Sequence, residues 1–303
     1  MFKSIRILLD IAAFHDYEIW QMDVKTAILK GKLEEDVYMT QPEGFVTPGN
    51  ATKSTYIDKV LNRFNMEASK RGFLPVTHGV SLSKEMCPST PQERERMSQV
   101  PYALAIGSIM YAMICTRPDL SYALSMTSRY QANPGEGHWV AVKNILKYLR
   151  RTKDVHLVYG GEEELVIKGY TDASFQTEKD DSRSQSGFVF CLNGGSRRAK
   201  EVVWIKKFIT ELGVVPSISD AIELYSDNNG AIAQAKEPRS HQRSKHILRR
   251  FHLIREILDR GDVEICKVHT NDNIDDPLTK PLAQQKHVRH TESLGIRYVS
   301  DWS

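Results

Sequence analysis

Apolar positions recur along this chain with two different periods, and the texture changes near residue 155. Residues 5–14 (IRILLDIAAF) put Ile5, Leu8, Leu9, Ala12 and Ala13 on one helical face. Residues 17–24 (YEIWQMDV) alternate apolar and polar, as a strand does. Gln41-Pro42-Glu43-Gly44 and Thr47-Pro48-Gly49-Asn50 are turn chemistry. An amphipathic helix is expected over 55–72, carried by Tyr56, Val60, Leu61 and Phe64. Residues 73–100 hold three prolines and read as loop. Helices follow over 101–115, over 119–131 after Arg117-Pro118, and over 137–151 with Trp139, Val142, Ile145, Leu146 and Leu149.

Beyond 155 short strands alternate with helices. Strands are expected over 155–159, 165–170, 187–192, 222–226 and 262–268, with Asn193-Gly194-Gly195 as the turn closing the third. Helices are expected over 199–212, stopped by Gly213, from about Asn229, over 244–260, ended by Gly261, and from 276. The fold class read from this pattern is mixed α/β (α+β), with a helical stretch ahead of the α/β part.

Composition changes this picture little. The 303 residues suffice for one large or two ordinary domains, and 41% hydrophobic with 26% charged residues suits a packed core. A net charge of +3 is weak evidence for any partner, but its distribution is uneven. Lys236, Arg239, Arg243, Lys245, Arg249, Arg250, Arg255 and Arg260, with three histidines among them, form a basic stripe that phosphate backbones attract and that a solvated helix face would also carry. Cys87, Cys115, Cys191 and Cys266 have no metal-like spacing and read as reduced thiols. No apolar run reaches the roughly 18 residues of a membrane span, and no signal peptide is recognisable. An intracellular protein, cytoplasmic or nuclear and without a membrane partner, is the expectation. No Gly-x-Ser-x-Gly elbow, Walker loop or Gly-x-Gly-x-x-Gly is present, which argues against hydrolase-elbow and nucleotide-loop folds.

Three aspartates sit where strands end or helices begin. Asp172 follows an alternating strand, Asp227 follows Ile222-Glu223-Leu224-Tyr225-Ser226, and Asp276 opens Pro277-Leu278-Thr279-Lys280. Singly, each is an ordinary cap or turn residue. Gathered at one sheet edge they would offer the oxygen ligands that Mg2+ or Mn2+ takes, and two such ions suit phosphodiester hydrolysis.

Five segments carry a resemblance. YTDASF at 170–175, SQSGFVFCLNGG at 184–195, LYSDNNGAIAQA at 224–235, SKHILRRFHLIRE at 244–256 and DNIDDPLTKPL at 272–282 resemble the ribonuclease H region of copia-type retrotransposon Pol polyproteins. IWQMDVKTAILKGKLEEDVYMTQPEGF, within 5–46, resembles the fingers and early palm of their reverse transcriptase, and 101–151 resembles the segment joining the two. The resemblance implies three parts: a polymerase fragment over 1–52, a helical connection over 53–154 and a ribonuclease H-like domain over 155–303. It implies that Asp172, Asp227 and Asp276 are nuclease metal ligands and that Asp23 is a polymerase metal ligand. Arg243, Lys245, His246, Arg249 and Arg250 become the expected contacts to an RNA–DNA hybrid or other nucleic acid.

The chain departs from that family in two places. No Tyr-Val-Asp-Asp hairpin is present, so most of the palm is missing and Asp23 stands alone; Ile28 replaces a usual aromatic. In the nuclease, Ser196-Arg197-Arg198 leads straight into Ala199-Lys200-Glu201, so one strand and most of one helix, with the fourth acidic ligand, are expected to be lost. Glu201 is the nearest acidic substitute. An incomplete sheet with an unpaired edge at 187–192 is therefore expected. The family implies reverse transcription and endonucleolytic cleavage of the hybrid. For this chain the expectation is no DNA synthesis and an impaired nuclease, or a remnant that only binds nucleic acid weakly. His269 is expected to be incidental and Asn273 a local cap.

Overall fold

The computed structural model describes residues 2–17, 55–77, 79, 81–158, 166–174, 185–192, 195–197, 206, 209–213, 220–236 and 256–298. The first element, α1 (Phe2–Phe14), is the expected helix, but it buries Ile7, Asp10 and Ile11, whereas Leu8 and Ala13 of the expected face are exposed. The next, α2 (Thr55–Arg63), is shorter than the periodicity suggested. It stops because Asn65 turns left-handed, at φ 54°, and the Asn65 and Met66 amides donate back to the Asn62 and Leu61 carbonyls. Those two bonds are a Schellman stop, which Asn tolerates better than any other non-glycine residue.

The stretch expected to be loop holds a helix, α3 (Pro91–Ser98). Thr90 accepts from the Glu93 amide while the Glu93 carboxylate accepts from the Thr90 amide, and Pro91 occupies the first turn. This capping box is written in the sequence as Thr-Pro-Gln-Glu, a signal that outweighs the surrounding prolines. Three helices then follow: α4 (Tyr102–Cys115), α5 (Ser121–Ser128) and α6 (Glu136–Arg151). Their buried faces meet α2 in one core built from Ile57, Leu61, Ile106, Ile109, Leu124, Ile145 and Leu146 among others.

The α/β part contains a five-stranded mixed sheet. Its strands are β2 (Ile167–Ser174), β3 (Gln185–Leu192), β4 (Gly195–Arg197), β5 (Ile222–Ser226) and β6 (Val263–Lys267), in the order β4-β3-β2-β5-β6. β3 runs antiparallel to β2 and β4, whereas β2, β5 and β6 are parallel. The expected loss of an edge strand is therefore corrected. Gly195–Arg197 pairs with β3 in the register Phe190↔Arg197, Cys191↔Ser196 and Leu192↔Gly195. Only Asn193 and Gly194 separate the paired ends, and Asn-Gly is the preferred two-residue hairpin link. Three residues thus suffice for a short strand, because a two-residue link consumes no more chain.

Two short strands, β1 (Val155–Leu157) and β7 (Ile296–Tyr298), pair separately and antiparallel. Further helices among the described residues include α7 (Asn229–Lys236), α8 (Asp276–Thr279) and α9 (Gln284–Ser293). Of the helix expected over 244–260, residues 256–260 are described, helical over 256–259, and Gly261 at φ 72° follows its end.

Alternation along the strands sends side chains to two cores. On one face Ile167, Phe190 and Ile222 pack with Ile209 and with Ile7 and Ile11 of α1. On the other, Val189 and Tyr170 pack with Leu278, Leu294, Ile296, Val155 and Leu157. The first and last of the expected segments therefore share a core, with the N-terminal helix packed on the sheet. Among the described residues no single helix is long and apolar enough to cross a membrane.

Candidate metal centre

Asp172 lies inside β2 rather than after it, paired with Gly187 of β3. It shares the parity of Tyr170 and so points to the face that α8 covers. The parallel register, ending at Thr171↔Ser226, sets Asp172 and Asp227 next to each other where the pairing of β2 and β5 stops. Asp276 opens α8, and its amide donates to the Asn273 carbonyl. Ligand oxygens of Asp172, Asp227 and Asp276 all lie within 4.8 Å of one another, with Asp172 and Asp276 buried and Asp227 half-buried. The residues fit a hard divalent cation: three carboxylates converge where the strands end, and such ions take oxygen donors.

Neighbouring side chains hold this arrangement. Thr279 Oγ1 donates to Asp172 Oδ2 at 2.6 Å. Asn273 does more than cap: its Nδ2 donates to the Thr171 carbonyl at 3.1 Å and to Asp227 Oδ1 at 3.2 Å, tying β2 to β5. A fourth carboxylate, the fully buried Asp275, accepts from the Asp172 amide at 3.2 Å through Oδ2. Gly187 makes the approach possible, since a Cβ there would lie 2.6 Å from Asp275 Oδ2 and against the Thr279 methyl.

Two lysines complete the electrostatics. Lys280 Nζ sits 2.7 Å from Asp276 Oδ1 and 3.3 Å from Asp172 Oδ2. Lys286 Nζ sits 2.7 Å from Asp276 Oδ2. Burial opposes the Lys280 charge, but Asp276 and Asp172 outweigh it and hold the ammonium above the usual lysine range. Sequence reading gave neither lysine, nor Thr279 or Asp275, a role; the available signal was the Asp276–Lys280 spacing, one helical turn apart.

Behind α8 lies a buried polar network. Arg117 Nη1 donates to the Thr152 carbonyl at 3.0 Å and Nη2 to Thr152 Oγ1 at 2.8 Å, while Asp119 takes the rest of the guanidinium. The Tyr148 hydroxyl donates to Asp119 Oδ2 at 2.7 Å. Burial opposes charge on both Arg117 and Asp119, and each ion offsets that for the other: Arg117 is raised and Asp119 lowered. The His287 ring stands edge-on to Tyr148 at 5.5 Å. His287 is adjacent to Lys286, so the network and the carboxylates meet in α9.

Several expected site residues lie outside the described ones: Asp23, Ile28, Glu201, Arg243, Lys245, His246, Arg249 and Arg250. His269 is exposed, and its Nδ1 accepts from the Asn271 amide at 3.2 Å, capping the turn 270–272.

The family described as reverse transcriptase (RNA-dependent DNA polymerase) matches residues 1–71. The retrovirus-related Pol polyprotein from transposon TNT 1-94 of Nicotiana tabacum is 30% identical, over 97% of this chain and 32% of its own length. That of transposon RE2 of Arabidopsis thaliana is 25% identical, over 97% of this chain and 28% of its length. The chain thus spans about a third of the curated relatives it matches. The first alignment runs over 427 positions although the chain has 303 residues, so at least 124 positions of the relative have no counterpart here. A solved foamy viral protease-reverse transcriptase in complex with dsDNA is similar at TM-score 0.32 and 13% identity, over 60% of this chain and 42% of that one.

Proposed function

From the relationship of this chain, over most of its length, to copia-type retrotransposon Pol polyproteins, of which it is an internally shortened counterpart, we propose that its α/β part is a ribonuclease H-like unit. Its substrate is the RNA strand of an RNA–DNA hybrid, and its hydrolysis is impaired. The convergence of Asp172, Asp227 and Asp276 within 4.8 Å carries this reading. The strand order β4-β3-β2-β5-β6, with only β3 antiparallel to the rest, supports it. Asp172, Asp227 and Asp276 would hold Mg2+ or Mn2+. When bound, such an ion activates water and neutralises phosphate charge. The chain's own residues orient the ligands: Thr279 fixes Asp172, and Asn273 fixes Asp227.

DNA synthesis is not part of the proposal. Asp23 is the one palm carboxylate recognisable in the sequence, and the Tyr-Val-Asp-Asp hairpin has no counterpart. A second reading, a non-catalytic remnant that binds nucleic acid weakly through the basic stripe at 236–260, is favoured by the two lysines already neutralising Asp276.

The experiment is incubation of the full chain with a labelled RNA–DNA hybrid in Mg2+, Mn2+ or EDTA, with Asp172→Asn alongside. Slow cleavage that needs metal and disappears in Asp172→Asn supports the nuclease. Folded protein that binds the hybrid in a salt-sensitive way and leaves it intact supports the remnant.

A further inference from the structure

We infer that Lys280 is a built-in counter-cation of the carboxylate centre, competing with a divalent ion for the edge between Asp172 and Asp276. The inference rests on the reading of Asp172, Asp227 and Asp276 as a metal centre and adds what controls its loading.

Geometry gives the first reason. Lys280 Nζ touches both carboxylates, at 2.7 and 3.3 Å, which is where a cation shared by them would lie. Its backbone is fixed, since the Lys280 amide donates to the Asp276 carbonyl at 3.0 Å. The ammonium is therefore presented intramolecularly, at an effective concentration that free metal must overcome.

The two lysines are not equivalent. Lys286 engages the other oxygen of Asp276 and also donates to the Thr270 carbonyl at 3.3 Å, so it is anchored away from the centre. Among the described residues, Lys280 Nζ has the two carboxylates as its ion-pair partners and no such anchor. Its side chain is 29% exposed, so solvent is open to it when it leaves. Lys280 is the group that yields.

Charge points the same way. With Asp275 counted, four carboxylates face two ammonium groups and carry a net double negative charge when all are ionised. One divalent ion neutralises it, and two would leave a positive excess. With Lys280 in place the centre favours one weakly held ion over a pair.

The test measures Mn2+ binding to the full chain by electron paramagnetic resonance of free Mn2+, together with thermal melting in EDTA and in Mn2+. Lys280→Met, Lys280→Arg and Asp172→Asn are compared with the native chain. Removing the charge in Lys280→Met is expected to tighten Mn2+ binding by about tenfold, the scale of one partly solvent-screened charge at this range. It is also expected to lower the melting temperature in EDTA and to enlarge the stabilisation by Mn2+. Lys280→Arg, which keeps the charge, stays close to native affinity. If Lys280→Met fails to fold, Lys280→Gln removes the same charge with a polar, similarly long side chain. Equal or weaker Mn2+ binding after charge removal, still abolished by Asp172→Asn, overturns the counter-cation role and leaves the metal centre standing. No Mn2+ binding by any folded variant overturns the metal centre, and the inference with it.

Discussion

Arg117 and Asp119 face each other as a two-pronged pair, Nε to Oδ1 at 3.0 Å and Nη2 to Oδ2 at 2.7 Å, with both side chains inaccessible to solvent. The pair spans two residues of chain but holds the end of α6 through Thr152 and Tyr148. Removing one partner strands a buried charge, which costs about 3–5 kcal/mol, whereas removing both costs much less. Arg117→Met is therefore expected to lower the unfolding free energy by about that amount in urea titration. The double variant Arg117→Met/Asp119→Leu is expected to recover much of the loss. Arg117→Lys, lacking the planar fork, should behave more like the single methionine variant than like the native chain.

His287 links that network to pH. Burial lowers its pKa to about 4, opposed by Asp119 and assisted by Arg117 and His290. The unfolded chain, with an ordinary histidine near 6.5, binds this proton first as pH falls. Stability from this group is complete above about pH 6.5 and is lost between 6.5 and 4. The loss amounts to about 3 kcal/mol by the scale of 1.4 kcal/mol per pKa unit. Unfolding titrations at pH 7, 5.5 and 4 should follow that slope, and His287→Phe should flatten it. An unchanged slope in His287→Phe would assign the acid sensitivity elsewhere.

Gly187 tests the tight fit of β3 against α8. Gly187→Ala places a methyl 2.6 Å from Asp275 Oδ2 and into the Thr279 side chain. Overpacking of this kind costs about 1–3 kcal/mol, measured as a drop in the urea midpoint. Adding Thr279→Ser removes the clashing methyl while keeping the hydroxyl that donates to Asp172. The double variant is expected to regain part of the loss.

The contribution of α1 to the sheet is open to the same approach. Ile11 is 5% exposed and packs in the cluster containing Ile167, Phe190 and Ile222. Ile11→Ala is expected to cost about 2–4 kcal/mol. Amide hydrogen exchange should quicken at Phe190 and Leu224, in strands far from residue 11 in sequence. Loss of protection confined to α1 itself would mean that the helix adds little to the sheet.

Much of this organisation was legible in the sequence because its signals are local. Helices α1, α4 and α6 and strands β3 and β5 follow from periodicity. Asp172, Asp227 and Asp276 were each read at an element boundary; Asp172 lies within β2 instead, yet the structure brings all three together. Other features were hidden because they depend on distant partners. Lys280 reads as an ordinary helix-end cation until the fold carries Asp172 to it. Gly187 reads as a plain strand residue until α8 arrives above it. The capping box at Thr90 was local and legible, but the prolines around it masked it. The short strand at 195–197 was missed because chain length was weighed against a whole strand-and-turn unit, when the Asn-Gly link needs only two residues.

The position of α1 bears on how the molecule is made. Ile7 and Ile11 are made well before their partners Ile167, Phe190 and Ile222, which come more than 150 residues later. At roughly 5–20 residues per second, the apolar stripe of α1 waits roughly ten to forty seconds for the sheet that buries it. During synthesis it is a natural binding point for chaperones, and the face of the sheet is closed by a segment made well before it.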